Sequence, residues 1–137
     1  MVDVERVRDK LALLRTYRAA LRALPREPDA DRYARRYLVQ SGIQVCIDLA
    51  NHLIASEGLA TATDFRTAFV RLTEHGVIDD PLSTRLQSMV GMRNLLVHAY
   101  EVIDDALVAQ TVEGDLDDWD AFARAIAAYA RGATDDG

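Results

Sequence analysis

Residues 43–50, with the sequence IQVCIDLA, give the clearest indication of the fold. Six of its eight side chains are apolar and occupy most sides of a helix, whereas a surface helix carries a single apolar stripe. A helix of this kind is buried by its neighbours. We therefore expect it to be the central helix of a bundle, with Asp29 as its N-cap and an end near Glu57, where Gly58 follows.

The segments on both sides of this helix also carry helical patterns. Apolar residues from Val4 to Leu24 recur at spacings of three, four and seven and form one stripe, which ends before Pro25. A third helix is predicted to begin after Thr63 and to end at Gly76. The first three helices are therefore joined by short connections.

The C-terminal half continues the pattern. Asp80 and Pro81 are placed to open a fourth helix as its N-cap and first-turn proline. Residues 104–112 and 115–131 predict two helical pieces, or one helix with a weak point at Gly114. Because no alternating strand pattern occurs, the sequence predicts an all-α, antiparallel up-and-down bundle of four to five helices.

Length and composition favour one cytoplasmic domain. A chain of 137 residues suits a single domain, which we expect to span residues 1–131, followed by a flexible acidic tail at 132–137. The single cysteine, Cys46, excludes an internal disulfide and a multi-cysteine zinc site. The charged N-terminus has no signal-peptide stretch, and no apolar run is long enough for a membrane helix.

The net charge of −6 at first argues against a nucleic-acid partner. The charge is unevenly divided, because residues 1–100 carry a net charge of +2 and residues 101–137 a net charge of −8. A phosphate can therefore bind in the first part. We expect the acidic segment, including Asp117, Asp118 and Asp120, to face solvent or a basic surface on a partner.

The residues most suited to chemistry lie in the stretch 91–101, GMRNLLVHAYE. Arg93 can hold a phosphate or stabilise its developing charge, and His98 can move a proton near neutral pH. With an RNA 2′-hydroxyl as internal nucleophile, such a pair supports strand cleavage without a metal. The plainer alternative is that both side chains satisfy the last carbonyl groups of a helix.

The spacing of this pair is a geometric problem. On a straight helix, Arg93 and His98 are roughly 140° apart, so they cannot converge on one ligand. Either the helix ends between them or the site is shared with a second copy of the chain. Tyr100 lies only about 20° from Arg93, and Gly91 would allow a second backbone to approach.

Other polar residues are better explained by structure. Asp48 and His52 are one helical turn apart and could form a pair inside the bundle. His75 precedes Gly76 and is expected to cap a helix. The acidic run 115–120 resembles a calcium loop only superficially, and Cys46 is expected in the core.

The stretch 93–100 resembles the Arg-x4-His-x-Tyr motif of the HepT-like toxins, members of the HEPN ribonuclease superfamily. Residues 45–54 are similar to the second helix of that family, and residues 69–78 to the third. The family's Gly-aromatic-Arg-Asn sequence is also present, with Met92 at the aromatic position. The resemblance covers roughly residues 1–130 in the expected order.

This resemblance implies a HEPN-like bundle that dimerises and acts as a metal-independent endoribonuclease, with no cofactor. Arg93 would bind and stabilise the scissile phosphate, His98 would act as general base and acid, and Asn94 would orient groups in the site. The chain would be the toxin of a type VII-like toxin–antitoxin pair. Its partner, an MntA-like nucleotidyltransferase antitoxin, would silence it by adding AMP to Tyr100.

Two other functions remain open at this point. The chain could be a non-catalytic helical subunit that binds nucleotide or docks onto a nucleotidyltransferase, with Arg93 and Tyr100 as contact residues. It could also be a purely structural helical adaptor.

Overall fold

The computed structural model describes residues 2–135, which form five α-helices and one short 3₁₀ helix. The helices are α1 (Val4–Ala23), α2 (Arg32–Ser56), α3 (Phe65–Glu74), α4 (Asp80–His98), the 3₁₀ helix (Tyr100–Val102) and α5 (Asp105–Asp135). No strand occurs within the described residues. The all-α bundle that the sequence predicts is therefore confirmed.

The helix that contains residues 43–50 is the centre of the bundle. Helix α2 contacts each of the other four α-helices. Its side chains Ile43, Cys46 and Ile47 are fully buried, as expected for a helix that is apolar on most sides. The prediction of a central helix is confirmed, although its first turn begins at Arg32 with Asp31 as N-cap, two residues after Asp29.

Helix α5 packs against α2 through one close approach. The indole of Trp119 is fully buried and lies over Gly42, where a Cβ would come within 2.0 Å of the ring. Only glycine leaves room for the indole at this crossing. The same helix continues through Gly114 as a single element, so of the two predicted alternatives one helix is confirmed and two separate pieces are not.

Helix ends follow the expected chemistry with small shifts in position. Gly76 has a φ of 76°, and the N–H of Val77 donates to the carbonyl of Leu72 at 2.9 Å, which closes α3 as predicted. The N-cap of α4 is Asp79 rather than Asp80, because the Asp79 carboxylate accepts from the N–H of Leu82 at 2.9 Å.

Helices α1 and α2 run antiparallel. Lys10 pairs with Asp48 and Tyr17 contacts Tyr37, so residue numbers rise along α1 as they fall along α2. The backbone is helical as far as Asp135, so the first residues of the expected tail at 132–137 belong to α5. The rest of that tail lies outside the described residues.

No helix in the described part of the chain is both long enough and apolar enough to cross a membrane.

Candidate active site

The Arg-x4-His sequence lies at the C-terminal end of α4. Arg93 and Asn94 are in the body of the helix, and His98 is its last residue. Ala99 ends the helix with a φ of −115°, and its N–H donates to the carbonyl of Leu95. The helix end therefore leaves the imidazole of His98 exposed to solvent.

Three neighbours hold the guanidinium of Arg93. Its Nε donates to Oε1 of Gln44 on α2 at 3.2 Å, and its Nη1 donates to Oδ1 of Asn94 at 3.2 Å. Its Cζ lies 5.0 Å from the centre of the Phe65 ring, close enough for a cation–π interaction. The side chain is half-buried, so its position is fixed while part of it remains open to a ligand.

The hydrogen bond to Gln44 belongs to a longer polar chain. Nε2 of Gln44 donates to Oδ1 of Asp48 at 2.9 Å, and Oδ2 of Asp48 pairs with Nζ of Lys10 on α1 at 3.3 Å. Sequence reasoning missed Gln44 as a site residue. The available signal was that Gln44 and Asp48, one turn apart, are the polar residues of the apolar stretch 43–50.

The structure does not bring Arg93 and His98 together within one chain. Helix α4 continues unbroken through both residues, so the alternative in which the helix ends between them is wrong. The guanidinium of Arg93 is directed at α2, whereas His98 makes no hydrogen bond or ion pair with any residue that the structure describes. The two side chains therefore lie on different faces of α4.

Two further residues of the motif can be placed. Gly91 faces the side chain of Arg66, whose Nη2 would lie 2.9 Å from an added Cβ, rather than a second backbone of the same chain. Tyr100 begins the 3₁₀ helix, directly after the end of α4. The side chain of Tyr100 lies outside the described residues.

The other two histidines have structural surroundings. Nε2 of His52 accepts from the N–H of Asp3 at 3.3 Å, so the expected pair between Asp48 and His52 is not formed. Burial lowers the pKa of His52, with a smaller contribution from the charge of Arg6. His75 is the C-cap of α3, as predicted.

His75 also contacts a half-buried tyrosine. Its Nε2 lies 3.0 Å from Oη of Tyr129, which donates to Oε1 of Glu57 at 2.8 Å. Burial and the neighbouring Glu57 raise the pKa of Tyr129 to about 12. This contact joins α5 to the ends of α2 and α3.

The acidic residues of α5 differ in exposure. Asp117 is exposed, as expected, and Asp120 keeps 36% of its side chain exposed although it pairs with Nε of Arg18 at 2.8 Å. Asp118 accepts from Nε of Arg85 at 2.7 Å and is only 14% exposed, so the expectation of an open carboxylate is not met there. Within the described part of the chain, no three carboxylate, cysteine or histidine groups are arranged to hold a metal ion.

Cys46 lies fully buried in the core, as expected, and burial raises the pKa of its thiol well above the usual range.

The chain is a five-helix bundle, and its fourth helix ends on an Arg-x4-His sequence. These features place it in a class of helical proteins, the HEPN class. Residues 8–126 match the family model described as "Ribonuclease HepT-like". The chain belongs to this HepT-like ribonuclease family, as the sequence resemblance predicted.

Individual relatives agree with this assignment. The chain is 34% identical over 90 residues to an mRNA nuclease HepT of Shewanella oneidensis, covering 66% of this chain and 68% of the relative. It is 28% identical to a tRNA nuclease HepT of Aphanizomenon flos-aquae, covering 67% and 63% of the two chains. A solved structure of the tri-AMPylated HEPN toxin of Shewanella oneidensis in complex with its MNT antitoxin superposes with a TM-score of 0.82. That superposition has 26% identity and covers 93% of this chain and 99% of that one.

Proposed function

We propose that this chain is the toxin of a type VII-like toxin–antitoxin pair and that it cleaves RNA as a metal-independent endoribonuclease. The main support is the environment of the two motif side chains, Arg93 and His98, in a member of a ribonuclease family. Arg93 is held in place by Gln44, Asn94 and Phe65, whereas His98 is exposed at the end of the helix. One group is oriented to bind a phosphate and the other is accessible to a substrate.

The chemistry follows from these two groups. Neutral His98 accepts the proton of a ribose 2′-hydroxyl, and the resulting oxygen attacks the adjacent phosphorus. Arg93 stabilises the negative charge that develops on the phosphoryl oxygens. The bond from phosphorus to the 5′-oxygen breaks, and a protonated imidazole returns a proton to that oxygen. The products are a 2′,3′-cyclic phosphate and a 5′-hydroxyl.

A homodimer supplies both groups to one phosphate. Because Arg93 and His98 lie on different faces of α4, the site needs residues from a second copy of the chain. Exposed apolar side chains at the same end of the bundle support such an interface, since Val102 is 80% exposed and Leu95 is 49% exposed. The Arg36–Asp105 ion pair places the start of α2, with exposed Tyr33 and Tyr37, beside this end.

The proposal includes a nucleotidyltransferase antitoxin as partner. The related Shewanella toxin is tri-AMPylated in complex with its MNT antitoxin. In this chain Tyr100 is the candidate acceptor, because it follows the end of α4 by two residues. An added AMP would bring a negative charge and a bulky group to the phosphate site and would repel RNA.

RNA cleavage by the purified, unmodified protein tests this proposal. We expect His98→Ala and Arg93→Ala each to lower the rate at least about a hundredfold, in the range typical of general acid–base and electrostatic contributions. His75→Ala and Arg26→Ala are matched controls away from the site and should cleave as the wild type does. A chelator should leave the wild-type rate unchanged. Equal cleavage by all five proteins, or by none, would contradict the proposal.

A further inference from the structure

A groove of about 640 Å³ lies between α1 and α5, and none of its lining residues belongs to the site at the end of α4. Its floor is formed by six apolar side chains, Val4, Val7, Leu11, Ala123, Ala127 and Ala130. Its edges carry four exposed arginines, Arg8 and Arg15 from α1 and Arg124 and Arg131 from α5. The groove is thus apolar at the base and positively charged along both edges.

The four arginines face each other in two pairs. The ion pairs Arg18–Asp120 and Arg22–Glu113 show that α1 and α5 run antiparallel in this register. Continuing that register along α1 places Arg15 opposite Arg124 and Arg8 opposite Arg131. Residues that face each other across α1 and α5 therefore carry opposite charges at one end of the contact and like charges along the groove.

Among the described residues, no carboxylate pairs with these guanidinium groups. None of the four makes an ion pair or a side-chain hydrogen bond with any residue in the described part of the chain. Four arginines are clustered here although the protein carries a net charge of −6. Arg124 and Arg131 are the only basic residues after position 100. Like charges facing across a seam destabilise it unless an anionic group lies between them.

We propose that this groove binds an acidic amphipathic helix of a partner protein. Arg8 and Arg15 are seven residues apart, as are Arg124 and Arg131, so each edge presents two cations about 10 Å apart along its helix. Acidic residues two turns apart on both flanks of a docked helix match this spacing, and its apolar face covers the aliphatic floor. An RNA strand fits less well, because bases stack on aromatic side chains and the floor has none.

Peptide binding to the full-length protein tests the proposal directly. The probe is a fluorescent synthetic peptide of Leu, Ala and Glu patterned as an amphipathic helix, and its binding is measured by fluorescence anisotropy. We expect Arg15→Gln combined with Arg124→Gln to weaken binding at least about tenfold, since two charge-assisted contacts are lost. Arg6→Gln combined with Arg26→Gln removes the same charge outside the groove and should change binding less than twofold.

Two further probes separate the alternatives. A scrambled peptide of the same composition, which has no apolar face, should bind at least about tenfold more weakly than the patterned one. Equal binding of the two peptides would overturn the proposal, as would equal losses in the two double variants. A single-stranded oligouridylate is the second probe. If it binds more tightly than the peptide and the groove double variant abolishes its binding, the proposed helix site is overturned in favour of a nucleic-acid surface.

The opposed arginines can also be tested without any ligand. Arg15→Glu places a carboxylate opposite Arg124, so we expect the melting temperature at low salt to rise by a few degrees. Arg26→Glu introduces the same charge change elsewhere and should not raise it. A lower melting temperature for Arg15→Glu than for Arg26→Glu would contradict the facing of Arg15 and Arg124, and with it the proposed site.

Discussion

Arg93 is held in position by groups that do not themselves contact the substrate in the proposed mechanism. The side chain of Gln44 accepts from Nε of Arg93 and donates to Asp48, so it links the phosphate-binding group to the centre of the bundle. A guanidinium that is already oriented loses less conformational freedom when it binds a phosphate. Gln44 is thus a positioning residue.

Replacing Gln44 should therefore affect the reaction more than the fold. Gln44→Met keeps the size of the side chain and removes both hydrogen bonds, so we expect RNA cleavage to fall about tenfold or more, with most of the loss in kcat. Gln40→Met, one turn earlier on the same helix and also half-buried, is the matched control. Full activity of Gln44→Met would show that this contact does not position Arg93.

Asp115 is a buried carboxyl whose protonation affects stability. Burial, with a smaller contribution from Asp118, raises its pKa from 3.8 to about 7. The folded protein therefore holds this proton more tightly than the unfolded chain. The associated stabilisation is complete below about pH 4 and is lost as the pH rises towards 7, by about 1.4 kcal/mol per unit of pKa difference.

We accordingly expect Asp115→Asn to be more stable than the wild type at neutral pH and to lose less stability between pH 4 and 7. Urea unfolding at several pH values measures both quantities. Asp117→Asn changes the same group at an exposed position and should retain the wild-type pH dependence. A wild-type slope that persists in Asp115→Asn would assign the pH dependence to other groups.

Candidate residues on one helix can be proposed from the sequence because spacing is a local property. Arg93 and His98 are roughly 140° apart on α4, which left either a helix end between them or a second copy of the chain as the explanation. Gln44 and Phe65 could not be assigned to Arg93 in the same way, because both contacts join residues that are distant along the chain. The partner of Asp48 could not be predicted either, because it depends on the position of α1. Asp48 accepts hydrogen bonds from Lys10 on α1 and from Gln44, and not from His52.

At the scale of elements, the contact between α2 and α5 depends on one glycine. Gly42→Ala would force its Cβ into the buried indole of Trp119, so we expect a loss of unfolding free energy of about 3 kcal/mol or more. Gly114→Ala is the matched control, because nothing lies within 4 Å of its added Cβ and alanine favours a helix by up to about 1 kcal/mol. Similar stabilities of the two variants would contradict this packing.

The helices themselves were predictable, whereas their ends and continuity were less so. Asp31, with a φ of 52°, precedes α2 instead of Asp29 because residues 25–30 form a separate loop. Buried Arg35 donates to carbonyl groups of that loop and holds it against the helix. Helix α5 stays whole because packing of Leu116 and Trp119 outweighs the modest cost of Gly114.

At the scale of the whole molecule, net charge is a poor guide to partners. Ion pairs to Arg85 and Arg18 use two of the carboxylates of α5, whereas the four arginines of the groove between α1 and α5 have no such partners among the residues that the structure describes. The sequence could show the excess of acidic residues after position 100 but not which of them are neutralised. The carboxylates of the acidic segment are therefore partly neutralised within the fold.

In the proposed dimer, one active site takes Arg93 from one copy of the chain and His98 from the other. Mixing the two variants tests this sharing: equal amounts of Arg93→Ala and His98→Ala are unfolded together and refolded as a mixture, and RNA cleavage is measured. Half of the dimers then contain one chain of each kind, and one of their two sites is intact. If the site is shared, the two nearly inactive proteins recover about a quarter of wild-type activity on mixing. Activity no higher than that of the separate variants would contradict the shared site.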